Sequence, residues 1–280
     1  MKTYFLFLKT FILLSVCLSG YSQGRKTVEI NDGWKFIQED IQNAHTSDYP
    51  DNKWEVVDVP HDWSIQYDFK KDIPFGHRIG YLPTGIGWYR KSFSLNSKDL
   101  KKNVEIEFDG IYMNSDVWIN GHHLGHYPYG YLPVKYNLNK YLTKGENQIA
   151  VRVNNSLQPN SRWYTGSGIY RPARLIITEH VRFRKEGVFI TTPEVSRESA
   201  TIKLKTEYIN PGSVPEKVNC RLLLKDPNGN TIYESISDYE LSSEDTSAFV
   251  YSFKVEEPFL WSVDSPVLYQ LELQLNQGKK

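Results

Sequence analysis

Residues 104–121 read Val104-Glu105-Ile106-Glu107-Phe108-Asp109-Gly110-Ile111-Tyr112-Met113-Asn114-Ser115-Asp116-Val117-Trp118-Ile119-Asn120-Gly121. Val104, Ile106 and Phe108 alternate with two glutamates, a period of two that gives a strand one dry and one wet face. Val117 and Ile119 flank Trp118, and Asn120-Gly121 supplies the positive φ angles of a tight hairpin turn. The same rhythm returns at Ile149, Val151 and Val153, at Ile202, Leu204, Thr206 and Tyr208, and at Val218, Cys220, Leu222 and Leu224. It returns again at Phe249, Tyr251, Phe253 and Val255, then at Tyr269, Leu271, Leu273 and Leu275. Gly145-Glu146-Asn147 and Asp226-Pro227-Asn228-Gly229 mark turns. No amphipathic helix interrupts the pattern, and Val134 to Leu142 holds a single turn at most. The fold class is all-β.

Between Asp40 and Gly87 the alternation dissolves into prolines and glycines, a long loop system of the kind that is functional or packed over the end of a sandwich. A boundary is expected near residue 180, where the strand Arg174 to Thr178 ends and a new rhythm begins. The later strands, spaced by turn signals, read as an immunoglobulin-like sandwich. That domain shows six strand candidates, against about seven in such a sandwich. The expectation is therefore an incomplete domain lacking its last strand, less stable than the first, whose unpaired edge lets chains self-associate.

The first 22 residues read as a signal peptide. Lys2 and Lys9 give a basic start, Phe11 to Leu18 is a short apolar run, and Gly20 and Ser22 suit cleavage before Gln23. A lipoprotein anchored at Cys17 ranks below plain export, because Val16 is bulkier than that processing tolerates. The chain is thus expected to be exported, periplasmic or secreted, with no membrane association after cleavage. The formal net charge of the 280-residue chain is zero, and no basic stripe appears, which argues against nucleic acid as a partner. With Cys17 removed, Cys220 stands alone on an inward face as a buried, inert thiol. Six of the seven tryptophans precede residue 165. Most suit a β core, and one or two suit the apolar face of a sugar.

Export and neutrality leave hydrolysis or binding. Apart from Gly20-Tyr21-Ser22-Gln23-Gly24, which straddles the cleavage site, no Gly-x-Ser-x-Gly elbow is present, and no His-Glu-x-x-His helix. His122 and His123 in His122-His123-Leu124-Gly125-His126 point to opposite faces of a strand, so no metal site is assigned there. The patch with the chemistry of a sugar site runs from Asn154-Asn155-Ser156 to Arg162-Trp163-Tyr164, joining amides, a guanidinium and an indole after a strand. On residue types alone, a loop pinned by its own side-chain hydrogen bonds is the favoured account of it.

Several segments taken in order change that balance. Val59-Pro60-His61-Asp62-Trp63, Gly87-Trp88-Tyr89-Arg90-Lys91-Ser92-Phe93 and the block from Phe108 to Gly121 resemble the front region of glycoside hydrolase family 2, β-galactosidase branch. Tyr129-Gly130-Tyr131, Arg162-Trp163-Tyr164-Thr165-Gly166-Ser167-Gly168-Ile169-Tyr170-Arg171 and Leu260-Trp261-Ser262 continue the resemblance. It implies a jelly-roll sugar-binding domain over residues 23–180, an immunoglobulin-like domain over 181–280, and a catalytic barrel beyond them. The family's two catalytic glutamates lie in that barrel, so no catalytic residue is assigned, and no metal or cofactor. Some relatives carry an aspartate where Arg162 stands, which removes the sodium role it plays there. The resemblance implies that Asn154, Arg162, Trp163 and Tyr164 bind substrate in a retaining enzyme acting on terminal β-galactosides. The alternative is a stand-alone lectin-like protein. Pro60 needs no amide proton, Asp62 suits a cap before Trp63, and Arg171 suits an ion pair at the domain seam.

Overall fold

The computed structural model describes residues 24–277, so the signal-peptide reading of residues 1–22 and the last three residues fall outside it. Sixteen strands, numbered in chain order, form four antiparallel sheets. The first ten make one two-sheet sandwich. Its smaller sheet runs β1 (Arg25–Glu29), β10 (Ala173–Thr178), β5 (Asn103–Phe108) and β8 (Val134–Asn137). Its larger sheet runs β3 (Glu55–Val57), β2 (Trp34–Ile37), β4 (Gly85–Leu95), β9 (Gly145–Asn155), β6 (Ser115–Ile119) and β7 (His122–Tyr127).

The period of two is what builds this core. Val104, Ile106 and Phe108 on β5 meet Val117, Ile119, Val151 and Val153 of the larger sheet, with Trp34 and Tyr89 filling the middle. Asn120 and Gly121 both take positive φ at the β6–β7 hairpin. Where a single turn was expected from Val134, the chain instead adds edge strand β8, with Tyr136 opposite Ile106. Four alternating residues are too few to declare a strand, and pairing with β5 decides the matter.

Outside the larger sheet, residues 38–54 fold back over it. Trp54, Trp88, Ala44 and Ala150 form a small core of their own there. Arg90, wholly buried, pins this loop by donating to Asp51 Oδ2 (2.8 Å), to the carbonyl of Thr46 (2.8 Å) and to the side chain of Gln148.

Residues 182–277 make the second pair of sheets. One is β11 (Arg182–Val195), β12 (Ser199–Asn210) and β15 (Asp245–Glu256); the other is β14 (Thr231–Leu241), β13 (Glu216–Lys225) and β16 (Gln270–Gln277). Leu204, Tyr208, Leu222 and Phe253 face inward. Cys220 is buried and free, and the Tyr208 hydroxyl donates to its sulfur at 3.2 Å. Among the described residues β16 pairs with β13 alone, so its far edge carries no strand. The contact between the two sandwiches is ionic. Lys185 on β11 pairs with Glu107 on β5, Arg182 lies 3.5 Å from Glu105, and Lys135 on β8 lies 3.4 Å from Glu186. Arg171 takes no part in this seam; its guanidinium lies over its neighbour Tyr170, 5.3 Å from the ring centre. It stands two residues before β10, whereas the link to β11 leaves from that strand's other end.

Candidate functional site

Asp62 organises one end of the first sandwich. It caps the single 3-10 turn Trp63–Gln66, accepting the amide of Ser64 at 3.0 Å. The same oxygen accepts the amide of Ser167 at 2.9 Å, and its other oxygen accepts the Tyr164 hydroxyl. Ser64 and Ser167 join through their hydroxyls at 2.9 Å. One carboxylate thus ties the segment before Trp63 to the segment after Tyr164. Gly168 is required at this junction: its φ is +124°, and a Cβ there would stand 2.7 Å from the carbonyl oxygen of His61.

Asn155 closes the same loop from the other side. Its amide nitrogen donates to Gly166 O (3.0 Å) and Ser167 Oγ (2.8 Å). Its oxygen accepts from Gln158 (3.0 Å) and Asn160 (2.6 Å). Held at both ends, residues 156–165 project from the surface. Trp163 is 66% exposed and Tyr164 about a third. Burial, reinforced by the Asp62 carboxylate, pushes the Tyr164 hydroxyl far above its ordinary pKa, so it remains a neutral donor. Arg162 is exposed and makes no ion pair among the described residues. Asn154 is turned inward to its own loop, accepting from the amide (3.0 Å) and hydroxyl (2.6 Å) of Ser156. The structure therefore brings Arg162, Trp163 and Tyr164 together on one projecting loop and leaves Asn154 as a pin at its base.

A second group of rings adjoins through Asn160, whose oxygen accepts from the Tyr112 hydroxyl at 3.3 Å. Tyr112 packs edge-on against Tyr131 (5.3 Å between centroids), and Tyr131 against Tyr129 (5.5 Å). Tyr129 and Tyr131 are both exposed. The sequence offered Asp62 as a cap before Trp63 and Asn155 within the patch, but not their joining with Asn160 into one scaffold, because their partners lie on other strands and loops. With both oxygens of Asp62 engaged, what the surface offers a ligand is rings, amides and a guanidinium, which is equipment for binding hydroxyls and sugar faces.

His61 sits beneath, with Nδ1 2.8 Å from the Tyr89 hydroxyl and Nε2 2.9 Å from the Gln66 amide nitrogen. Burial lowers its pKa. The other histidine cluster divides: His122 stacks on Tyr141 (4.3 Å), while His123 and His126 both reach Asp116, at 2.9 and 3.2 Å. Among the described residues no group of three or more histidine, cysteine, aspartate or glutamate side chains is placed to hold a metal ion.

Two consecutive β-sandwiches, the first presenting a pinned aromatic loop at one end, define an all-β module. The chain belongs to glycoside hydrolase family 2. The model of the family's sugar binding domain matches residues 19–179, and a second model of the same family matches residues 181–280. The chain is 41% identical to the β-galactosidase BoGH2A of Bacteroides ovatus over 91% of its own length and 30% of that protein. It is 38% identical to a putative β-glucuronidase of Formosa agariphila, covering 96% of this chain and 25% of that one. Among solved structures, a β-glycosidase from Bacteroides vulgatus superposes with a TM-score of 0.80 at 38% identity, over 91% of this chain and 32% of that one. The chain thus spans about 30% of the length of such relatives.

Proposed function

We propose that this chain is the front, sugar-facing part of an exported retaining glycosidase that removes terminal β-galactosides, and that catalysis belongs to a region beyond it. The observation that carries this reading is the loop held on Asp62 and Asn155, which sets the Trp163 ring out from an end of the sandwich already crowded with tyrosines. Ile65, Phe69 and Leu157 on neighbouring segments are also exposed. Large apolar side chains left bare suit burial against further protein. The similarity to a β-galactosidase supports the galactoside. The basic start and apolar run of residues 1–22 support export. The bare edge of β16 supports pairing between copies of the chain when nothing else covers it.

One feature favours a second substrate. Arg162, exposed and without an ion pair among the described residues, suits the carboxylate of a β-glucuronide. The test is hydrolysis of aryl β-galactosides and aryl β-glucuronides by any longer product of the gene, with and without Trp163→Ala. The expected result is galactoside turnover whose KM rises several-fold in the variant with kcat little changed. Preference for the glucuronide, or an unchanged KM, would overturn the galactoside assignment or the role of Trp163 respectively.

A further inference from the structure

The outer flank of the larger sheet carries a hollow of about 590 Å³, within the ~300–1,000 Å³ range of small-ligand sites. Its floor is a row across four strands. Trp88 on β4 faces Arg152 on β9, Arg152 faces Asp116 on β6, and Asp116 Oδ1 lies 2.9 Å from Nε2 of His123 on β7. One step along, Ala150 lies beside Trp118, and its small side chain lets the indole settle toward Trp88, 5.2 Å between ring centroids. Residues 40–45 of the folded-back loop make the facing wall, where His45 stacks on Trp118 at 5.4 Å.

The polar groups of this hollow are only partly used. Arg152 donates from Nε and Nη2 to the two oxygens of Asp40, each at 2.8 Å, and its Nη1 has no partner among the described residues. That pairing holds the Asp40 carboxyl below its usual pKa. The amides of Gln42 and Asn43 line the hollow and make no side-chain hydrogen bond to a described residue. Trp88, 3% exposed, turns its indole N–H toward the Asp40 carboxylate and favours its charged form.

The mixture of charges selects the ligand class. An anion would meet Asp40 and Asp116, and a cation would meet Arg152. A hydroxyl both donates and accepts, so a neutral polyol satisfies carboxylate, guanidinium and amide together while its C–H face rests against the indole and imidazole edges. We propose that this flank is a second carbohydrate site, taking one neutral pyranose ring with a pair of its hydroxyls on Asp40 and Arg152. The hollow is open and shallow, which sets the affinity in the millimolar range.

The seven tryptophan indole N–H signals of the full chain, each identified by Trp→Phe substitution, report on this site by NMR. Methyl β-D-galactopyranoside, methyl β-D-glucopyranoside and sodium glucuronate are the probes. Saturable shifts of the Trp88 and Trp118 signals by a neutral glycoside are expected, weakened at least tenfold by Asp40→Asn and severalfold by Gln42→Ala on the exposed loop, with the spectrum showing both variants folded. Trp163→Phe should leave the affinity unchanged. No shift of Trp88 and Trp118 with either neutral glycoside, shifts produced by glucuronate alone, or an affinity indifferent to both Asp40→Asn and Gln42→Ala would each overturn the proposal. A shift confined to Trp163 would also overturn it while supporting sugar contact at the Asp62 loop, so the two readings fail separately.

Discussion

Arg90 and His61 are polar side chains turned into the molecule, and each makes stability depend on chemistry rather than on apolar area. Arg90 donates to a carboxylate, an amide oxygen and loop carbonyls, and so fixes residues 44–51 against the sheet. Arg90→Ala should lower the stability of the first sandwich by about 3 kcal/mol in urea denaturation, the scale of removing one partner of a buried ion pair. Arg90→Lys should recover little, because one ammonium cannot reproduce the guanidinium fork. His61 is held neutral, since burial lowers its pKa. The unfolded chain therefore binds its proton first, at about pH 6.5, and the folded state loses stability as pH falls through and below that value. Denaturation midpoints measured between roughly pH 7.5 and 5.5 should decline on acidification, and the decline should flatten in His61→Gln. An equal slope in the variant would show that other groups govern it. At this scale the sequence was partly legible. Trp163 declared itself by residue type, and Asp62 by its place before Trp63. The bond between Asp62 and Tyr164 spans 102 positions, and no local pattern encodes a contact of that separation.

Strands follow local chemistry more openly, and the elements with sustained alternation, β5, β9, β12, β13 and β15, stand where the period of two puts them. β8 escaped because four residues carry too short a pattern. The seam escaped because Lys185, Arg182 and Lys135 look like ordinary surface charges until β11 is laid against β5. The two cores also differ in closure. Ile106, Val151 and Val153 in the first are wholly buried, whereas Ile202, Tyr251 and Val255 in the second keep 8–9% of their surface exposed. Incomplete cover leaves apolar area in water and costs about 25 cal/mol for each Å². Amide hydrogen exchange should accordingly be faster in β12 and β15 than in β5 and β9. Equal protection in a monomeric sample would show that the second sandwich is as firmly closed as the first.

Residues 24–277 form two sandwiches joined by ion pairs, with a pinned aromatic loop at one end and bare apolar side chains around it. Its family was legible from the order of short motifs running from Val59-Pro60-His61-Asp62-Trp63 to Leu260-Trp261-Ser262, although each alone has a purely structural reading. Asp62, for instance, is a helix-turn cap before it is anything else. The flank hollow had no such signature, because its residues come from four strands and a loop that only the sheet brings together. The proposed function is a division of labour, in which this chain supplies binding surface and the carboxyl pair that a glycosidase requires belongs to a region beyond it. The most direct test is to incubate the purified, folded chain with fluorogenic β-galactoside and β-glucuronide substrates beside a heat-treated control. The division predicts no turnover above the control with either substrate; reproducible hydrolysis that survives repeated purification would contradict it.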